Sequence, residues 1–504
     1  MNKPIKQEEI NKAVWAACDT FRGTVSADIY KDYVLTLLFL KYISDVWQDH
    51  YDTYKEEYGD EPELIKEMMK NERFVLPEKA NFYLLYKRRH EPGNGERIDK
   101  ALHAIEEANL SKLRDVFQDI SFNSNKLGEE SQKNELLRHL LEDFAKDTLN
   151  LKPSRIGTLD VIGNAYEYLI KNFAADAGRK AGEFYTPPEV SQLMAELVAP
   201  KTGDEICDPT CGSGSLLMKC GKYIQKENKG SKKYGLYGQE AIGSIWALAK
   251  MNMFLHGEDN HRIEWGDTIR NPKILDGEDR LKHFDVVVAN PPFSLDKWGQ
   301  ASAESDKFGR FRRGIPPKTK GDYAFILHMV ETMKPKSGRM AVVAPHGVLF
   351  RGAAEGKIRQ KLAEENLLDT VIGLPEKLFY GTGIPAAILV LKKHKTDKNV
   401  LFIDASREFI SGKNQNLLSS DNIAKIIEAY RERKTIDKYA YLATPEELAE
   451  NDYNLNIPRF VDTFEEEEEI DLVAVREERK KLKAELAELE KKMDGYLKEL
   501  GYPA

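Results

Sequence analysis

The spacing of apolar residues along the chain changes character twice and divides it into three stretches. In the first stretch they recur at helical intervals, as in Ile29, Val34, Leu37, Leu38 and Tyr42, or Leu136, Leu137, Leu140, Leu141 and Phe144. This is the stripe of helices that bury one face. The greasiest run, Val34 to Tyr42, is far shorter than the roughly 18 residues a membrane span needs, so it reads as a buried helix. Arg88 to Glu96, with its Pro-Gly-Asn-Gly core, reads as a loop. After a helix expected over Leu159 to Phe173, short apolar runs begin near Asp204, Tyr234, Arg262, Phe284, Met340, Leu368 and Ala386 and alternate with helical segments. That alternation predicts a doubly wound α/β sheet. The loop between the last two runs, Leu368–Gly373 and Ala386–Leu391, has no room for a crossover helix, so this pair should be an antiparallel hairpin. In the third stretch Leu472, Val475, Arg479, Leu482, Leu486, Leu489, Met493, Tyr496 and Leu500 alternate three and four residues apart. Such a narrow seam favours a coiled coil with another chain over a surface helix. The expected division is a helical domain over 1–152, the α/β domain over 153–412 and a helical tail over 413–504.

Composition narrows the class. At 504 residues the chain has room for about three domains at roughly 150 residues each. Its four cysteines make no disulfide framework, and Cys207 and Cys211 lack histidines at zinc-like spacing, so no metal site is expected. With no signal peptide or membrane span in view, a cytoplasmic protein is expected. A net charge of −8 argues against a free-standing nucleic-acid binder. Yet Lys297, Lys307, Arg310, Arg312, Arg313, Lys318 and Lys320 crowd one segment. Of these, Arg310, Arg312, Arg313, Lys318 and Lys320 are candidate contacts to a DNA backbone.

The chemistry-bearing residues sit at strand ends, where open α/β sheets hold ligands. Asn290-Pro291-Pro292-Phe293 follows the buried run Phe284–Ala289. Two prolines stiffen that turn and push Asn290 into an extended conformation, so its side-chain oxygen and the Pro291 carbonyl can both accept from one amino group. Phe293 offers a face for stacking a base. Upstream, Asp208-Pro-Thr-Cys-Gly212-Ser213-Gly214-Ser215 joins a strand to a helix. Leu217 stands where a dinucleotide fingerprint needs its third glycine, so a nucleoside fits better than a pyrophosphate. Glu240 ends the next strand, where a carboxylate can accept ribose hydroxyls, and Asp267 ends a third, where it can accept an adenine amino group. Gly182-Glu183-Phe184-Tyr185-Thr186-Pro187-Pro188-Glu189 leads into a helix that Thr186 could cap, with Pro187 at its first position.

Together these motifs resemble the γ-ordered amino-methyltransferases. More closely, with Asp322–His328, Gly381–Pro385 and Asp452–Arg459, they look like the modification subunit of type I restriction-modification systems, over nearly the whole chain. The resemblance implies a methyltransferase sheet, to which the terminal hairpin conforms, and transfer of a methyl group from S-adenosylmethionine to adenine N6 in double-stranded DNA. It implies cofactor contacts from Glu183, Phe184, Tyr185, Thr186, Pro187, Pro188, Ser213, Gly214, Ser215 and Glu240, and a flipped adenine held by Asn290, Pro291, Pro292 and Phe293. It also implies two such subunits on one specificity subunit, with an optional motor-nuclease subunit. The absence of a G-x-x-x-x-G-K-[ST] loop places ATP-driven steps in other chains. Two other readings stay open at this point: methylation of a protein glutamine amide, which suits the same turn, and a cofactor-binding scaffold without catalysis.

Overall fold

The computed structural model describes residues 5–59, 61–157, 160–177, 185–380, 383–413, 415–463 and 472–502. Met1–Val461 forms one compact unit and Asp462–Ala504 a second. Among the described residues, no helix is long and apolar enough to cross a membrane.

The first unit is built on strands β1 (Glu205–Asp208), β2 (Gly235–Glu240), β3 (His261–Trp265), β6 (Val286–Ala289), β7 (Arg339–Pro345), β8 (Leu368–Gly373), β9 (Ala386–Lys392), β10 (Val400–Asp404) and β11 (Ala440–Ala443); β4 (Leu275–Asp276) and β5 (Arg280–Leu281) form a separate small ribbon. The large sheet runs in the order β11, β10, β8, β9, β7, β6, β1, β2, β3. Strand β1 is parallel to both β2 and β6, so the chain changes winding direction at β1, and a crevice opens beyond its carboxyl end. The expected hairpin is present: β9 is antiparallel to β8, and it inserts between β8 and β7, antiparallel to both. Val286, Val287 and Val288 in β6 are fully buried, each contributing about 1.5–3 kcal/mol by removal from water.

The sheet extends further than the sequence reading drew it. The limit expected at residue 412 falls inside the last crossover: β10 pairs parallel with β8, and β11 closes the edge antiparallel to β10. Between them helix Ser420–Glu432 buries Ile423, Ile426 and Ile427. The separate tail therefore starts at Asp462 rather than at 413.

Among the described residues up to 152 the regular elements are all helices, as expected. Helix Ala27–Tyr58 carries the Val34–Tyr42 run through the core and packs on helices Asp160–Ala177 and Gly243–Leu255. Phe74 meets Phe254 edge to face at 5.3 Å, and Arg73 Nε donates to Asp259 at 2.8 Å. One continuous apolar core joins these helices to one face of the sheet.

Candidate functional site

The carboxyl ends of β1, β2, β3 and β6 enclose a cavity of about 260 Å³. Pro209 and Thr210 come from the first, Glu240 to Ile242 from the second, Asp267 to Ile269 from the third, and Asn290, Pro292, Leu295 and Trp298 from the fourth. The adjacent strand ends expected from sequence thus converge.

The turn after β1 can follow this path because Gly212 and Gly214 have φ of 52° and 79°, the left-handed region that costs glycine little. A Cβ on Gly214 would lie 2.7 Å from Met253 Cε. Ser213 and Ser215 share a hydrogen bond at 2.9 Å, and Asn252 donates to the Ser213 carbonyl at 3.0 Å. Helix Ser215–Glu227 starts directly after Gly214, so its first N–H groups face the turn.

Glu240 locks this turn to the next strand. Its Oε2 accepts the Gly212 N–H at 3.0 Å and its Oε1 the Ile242 N–H at 2.9 Å. Each oxygen keeps a lone pair for a ligand hydroxyl. Burial pushes the Glu240 carboxyl up, and these N–H groups oppose the shift. Asp208 is more deeply buried. Burial pushes its carboxyl up to about 8, with the Thr210 N–H opposing and the Glu240 charge adding to the rise. Asp267 Oδ1 accepts from the N–H groups of Ile269 and Arg270 at 2.8 and 2.9 Å, which holds the half-exposed carboxylate at the cavity wall.

On the opposite wall, Asn290 Nδ2 donates to Thr186 Oγ1 at 3.1 Å, while its Oδ1 is buried and has no hydrogen-bond partner among the described residues. An acceptor left unmatched out of water costs about 1–3 kcal/mol, so this oxygen marks where a ligand's N–H or O–H fits. Phe293 is half-buried and braced by Phe379, with ring centroids 5.9 Å apart.

Two sequence expectations about this wall change. Thr186 does not cap the helix that follows: Pro187 is the N-cap, Pro188 the first residue of helix Pro188–Val198, and the Thr186 hydroxyl serves Asn290 instead. Tyr185 is buried against Tyr380 with centroids 5.8 Å apart. Glu183 and Phe184, also expected near a cofactor, lie outside the described residues.

The basic segment divides. Arg310 is buried, pairs with Asp306 at 2.8 Å and donates to the carbonyls of Thr268 and Ile269 at 3.1 and 2.8 Å. Arg313 is buried between Glu331 and Glu365. Neither lies at the surface as a DNA-backbone contact was expected to: Arg310 ties its loop to the turn after β3, and Arg313 ties it to Glu331 and Glu365. Arg312 and Lys318 are exposed and Lys320 partly so.

The parts played by several residues escaped the sequence reading, Asp322 being noted there only within a motif. Asp322 Oδ1 accepts the Ser294 N–H at 2.7 Å, just after the Asn290 turn, while its Oδ2 takes the Arg351 guanidinium at 2.6 Å. Ser294 has φ of 52°, so the bond holds a strained turn in place. Ile242 and Ile269 supply apolar walls to the cavity.

Comparison with known proteins agrees with this geometry. The N-6 DNA Methylase family model matches residues 157–469, and the HsdM N-terminal domain model matches residues 10–144. The type I restriction enzyme MjaVIII methylase subunit of Methanocaldococcus jannaschii is 34% identical, over 99% of this chain and 87% of its own. The MpnII methylase subunit of Mycoplasma pneumoniae is 31% identical, over 92% and 91%. The crystal structure of the type I restriction-modification system methyltransferase subunit from Streptococcus thermophilus superposes with a TM-score of 0.81 at 37% identity, covering 91% of this chain and all of that one. The chain therefore belongs to the N-6 DNA methylase family, among the methylase subunits of type I restriction enzymes.

Proposed function

We propose that this chain transfers a methyl group from S-adenosylmethionine to N6 of an adenine flipped out of duplex DNA. The observation that carries the reading is the buried, unmatched Oδ1 of Asn290 at a cavity whose far wall is lined by Glu240 and Asp267. In the cofactor half, Glu240 accepts the ribose hydroxyls, Asp267 accepts the adenine amino group, and Ile242 and Ile269 flank the ring. The turn from Asp208 to Ser215, with Tyr185, Pro187 and Pro188, closes round the remainder, and Glu183 and Phe184 are further contacts proposed for the same cofactor. When bound, S-adenosylmethionine supplies a methyl group whose bond to sulfur breaks with the electron pair staying on sulfur. In the target half, Asn290 Oδ1 and the Pro291 carbonyl accept both N–H bonds of the adenine amine, which frees its lone pair to form the new bond to carbon. Pro292 stiffens the turn and Phe293 stacks the base. The methylated amine then releases a proton to water, so no strong general base is required.

Base extrusion costs a few kcal/mol, and stacking on an aromatic side chain returns about 1–3 kcal/mol. Phosphate contacts from Arg312, Lys318 and Lys320 and a partner that grips the duplex supply the balance. That partner is a separate specificity subunit carrying two copies of this chain, engaged through the seam of helix Leu472–Glu499, with a motor-nuclease subunit added in the restriction complex. The setting is the cytoplasm. Labelled S-adenosylmethionine given to the assembled complex, with duplex DNA in one arm and a glutamine peptide in the other, tests the reaction. Label is expected on adenine N6. Label on the peptide amide with none on DNA would replace this reading by glutamine methylation, and label on neither would favour a scaffold.

A further inference from the structure

We infer that Thr186 is a positioning residue for methyl transfer, holding the Asn290 amide so that its oxygen meets the target amine. The inference rests on the role proposed above for Asn290 and gives Thr186 a part in the reaction distinct from the cofactor contact implied by sequence resemblance.

The amide of Asn290 is tethered at one end only. Its Nδ2 reaches Thr186 Oγ1 at 3.1 Å, and its Oδ1 has no partner among the described residues. An asparagine that lines a cavity with one end of its amide tied and the other unmatched has its side-chain torsions set by the tie. A hydroxyl can donate or accept, so the Thr186 tether would serve either amide orientation. An incoming amine offers only N–H groups to this acceptor, which selects the orientation with Oδ1 outward and Thr186 accepting. Without the tether the amide would sample other rotamers, and the amine would lose the acceptor that aligns its lone pair.

The support behind Thr186 is stiff. Pro187 and Pro188 follow directly, and helix Pro188–Val198 is fastened to the sheet at its far end, where Arg339 donates to the Ala199 carbonyl at 2.8 Å and pairs with Asp204 at 2.9 Å. On the other side Tyr185 is buried against Tyr380. The hydroxyl is thus presented from a fixed frame to a turn that is itself stiffened by Pro291 and Pro292.

The test uses full-length Thr186→Val, Thr186→Ser and Asn290→Ala, each assembled with the specificity subunit. Single-turnover methylation is read at saturating DNA and S-adenosylmethionine, and cofactor affinity by calorimetry. Thr186→Val is expected to slow methylation about ten- to a hundredfold, the scale of a small misplacement of a reacting group, with unchanged cofactor Kd. Thr186→Ser should restore most of the rate. In an Asn290→Ala background Thr186→Val should add nothing, since the two residues act as one unit. Thr186→Ala repeats the comparison if the valine variant melts early. Wild-type rate in Thr186→Val, a matching loss of cofactor affinity, a serine variant as slow as the valine one, or additive losses would each overturn the inference. Wild-type rate in Asn290→Ala alone would instead overturn the reading of the target turn.

Discussion

At the carboxyl edge of the sheet the carboxylates of Asp208 and Glu240 are buried, whereas along helix Leu472–Glu499 it is the apolar side chains that are exposed. Asp208 and Glu240 sit within the core, each held by backbone N–H groups. Val475, Leu482, Leu486, Leu489, Met493, Tyr496 and Leu500 are between 50 and 72% exposed, although they form the seam of their helix. The contrast separates two ways of awaiting a ligand. The edge is preorganised: its polar groups have been desolvated during folding, and a small molecule gains from geometry already in place. Along the helix the apolar side chains are still exposed, so a gain from burying the seam would come with the proposed partner.

Removing the tail should produce the largest effect. A chain ending at Thr463 keeps every element of the first unit and should bind S-adenosylmethionine like the full chain. Each seam leucine buried by a partner contributes about 1.5–3 kcal/mol, so the shortened chain should lose co-purification with the specificity subunit and, with it, DNA methylation. Normal assembly and methylation by the shortened chain would make the seam dispensable and dissolve the contrast.

Next in size is the division within the basic segment. Arg313→Ala removes the buried partner of Glu365 and one of the two arginines on Glu331, Arg312 being the other, and should cost about 1.5–3 kcal/mol of stability, measured by urea unfolding. Lys318→Gln and Lys320→Gln should leave stability alone and reduce the salt dependence of DNA binding by roughly one unit of slope each. Unchanged unfolding in Arg313→Ala would return that residue to the list of DNA contacts.

Glu240→Ala should weaken S-adenosylmethionine binding by about 1.5–3 kcal/mol, the value of hydrogen bonds to a charged group. Calorimetry showing wild-type affinity would move the ribose elsewhere. An effect of similar size, spread over two pH units, concerns Asp208. Its folded carboxyl stands at about 8, above the ordinary 3.8, so the stability from keeping it protonated is present at low pH and is lost as pH rises towards 8. A cationic cofactor favours the charged form and should displace the proton. Affinity should rise with pH by up to about 1.4 kcal/mol per unit between 6 and 8 and level off above that. Equal proton release in the Asp208→Asn variant would assign the linkage to another group.

The seven strands of the large sheet up to Lys392 were legible because each is a short run closed by a turn, most of them apolar. The other two were not. Val400–Asp404 follows a charged turn, and Ala440–Ala443 contains no β-branched residue, so pairing with neighbours rather than intrinsic preference makes it a strand. In the site, the acids and glycines at the strand ends could be read locally, since each motif announces its own turn. The bond from Asn290 to Thr186 spans 104 residues, and that from Arg313 to Glu365 spans 52, so local pattern carries no trace of either. Arg310 and Arg313 looked solvated because the acids that neutralise them lie elsewhere in the chain or fold back from it.

The place of β9 between β7 and β8 also sets a timetable for synthesis. At roughly 5–20 residues per second, the segment from the end of β8 to the end of β9 takes about one to four seconds to leave the ribosome. During that interval β7 and β8 expose facing edges with Val342, Val343, Val371 and Ile372, which invite pairing with the wrong strand. A pause in translation there would leave the target turn after β6 already made but unsupported on one flank, and rare codons placed before Ala386 would be expected to lower the yield of soluble chain without altering a single residue.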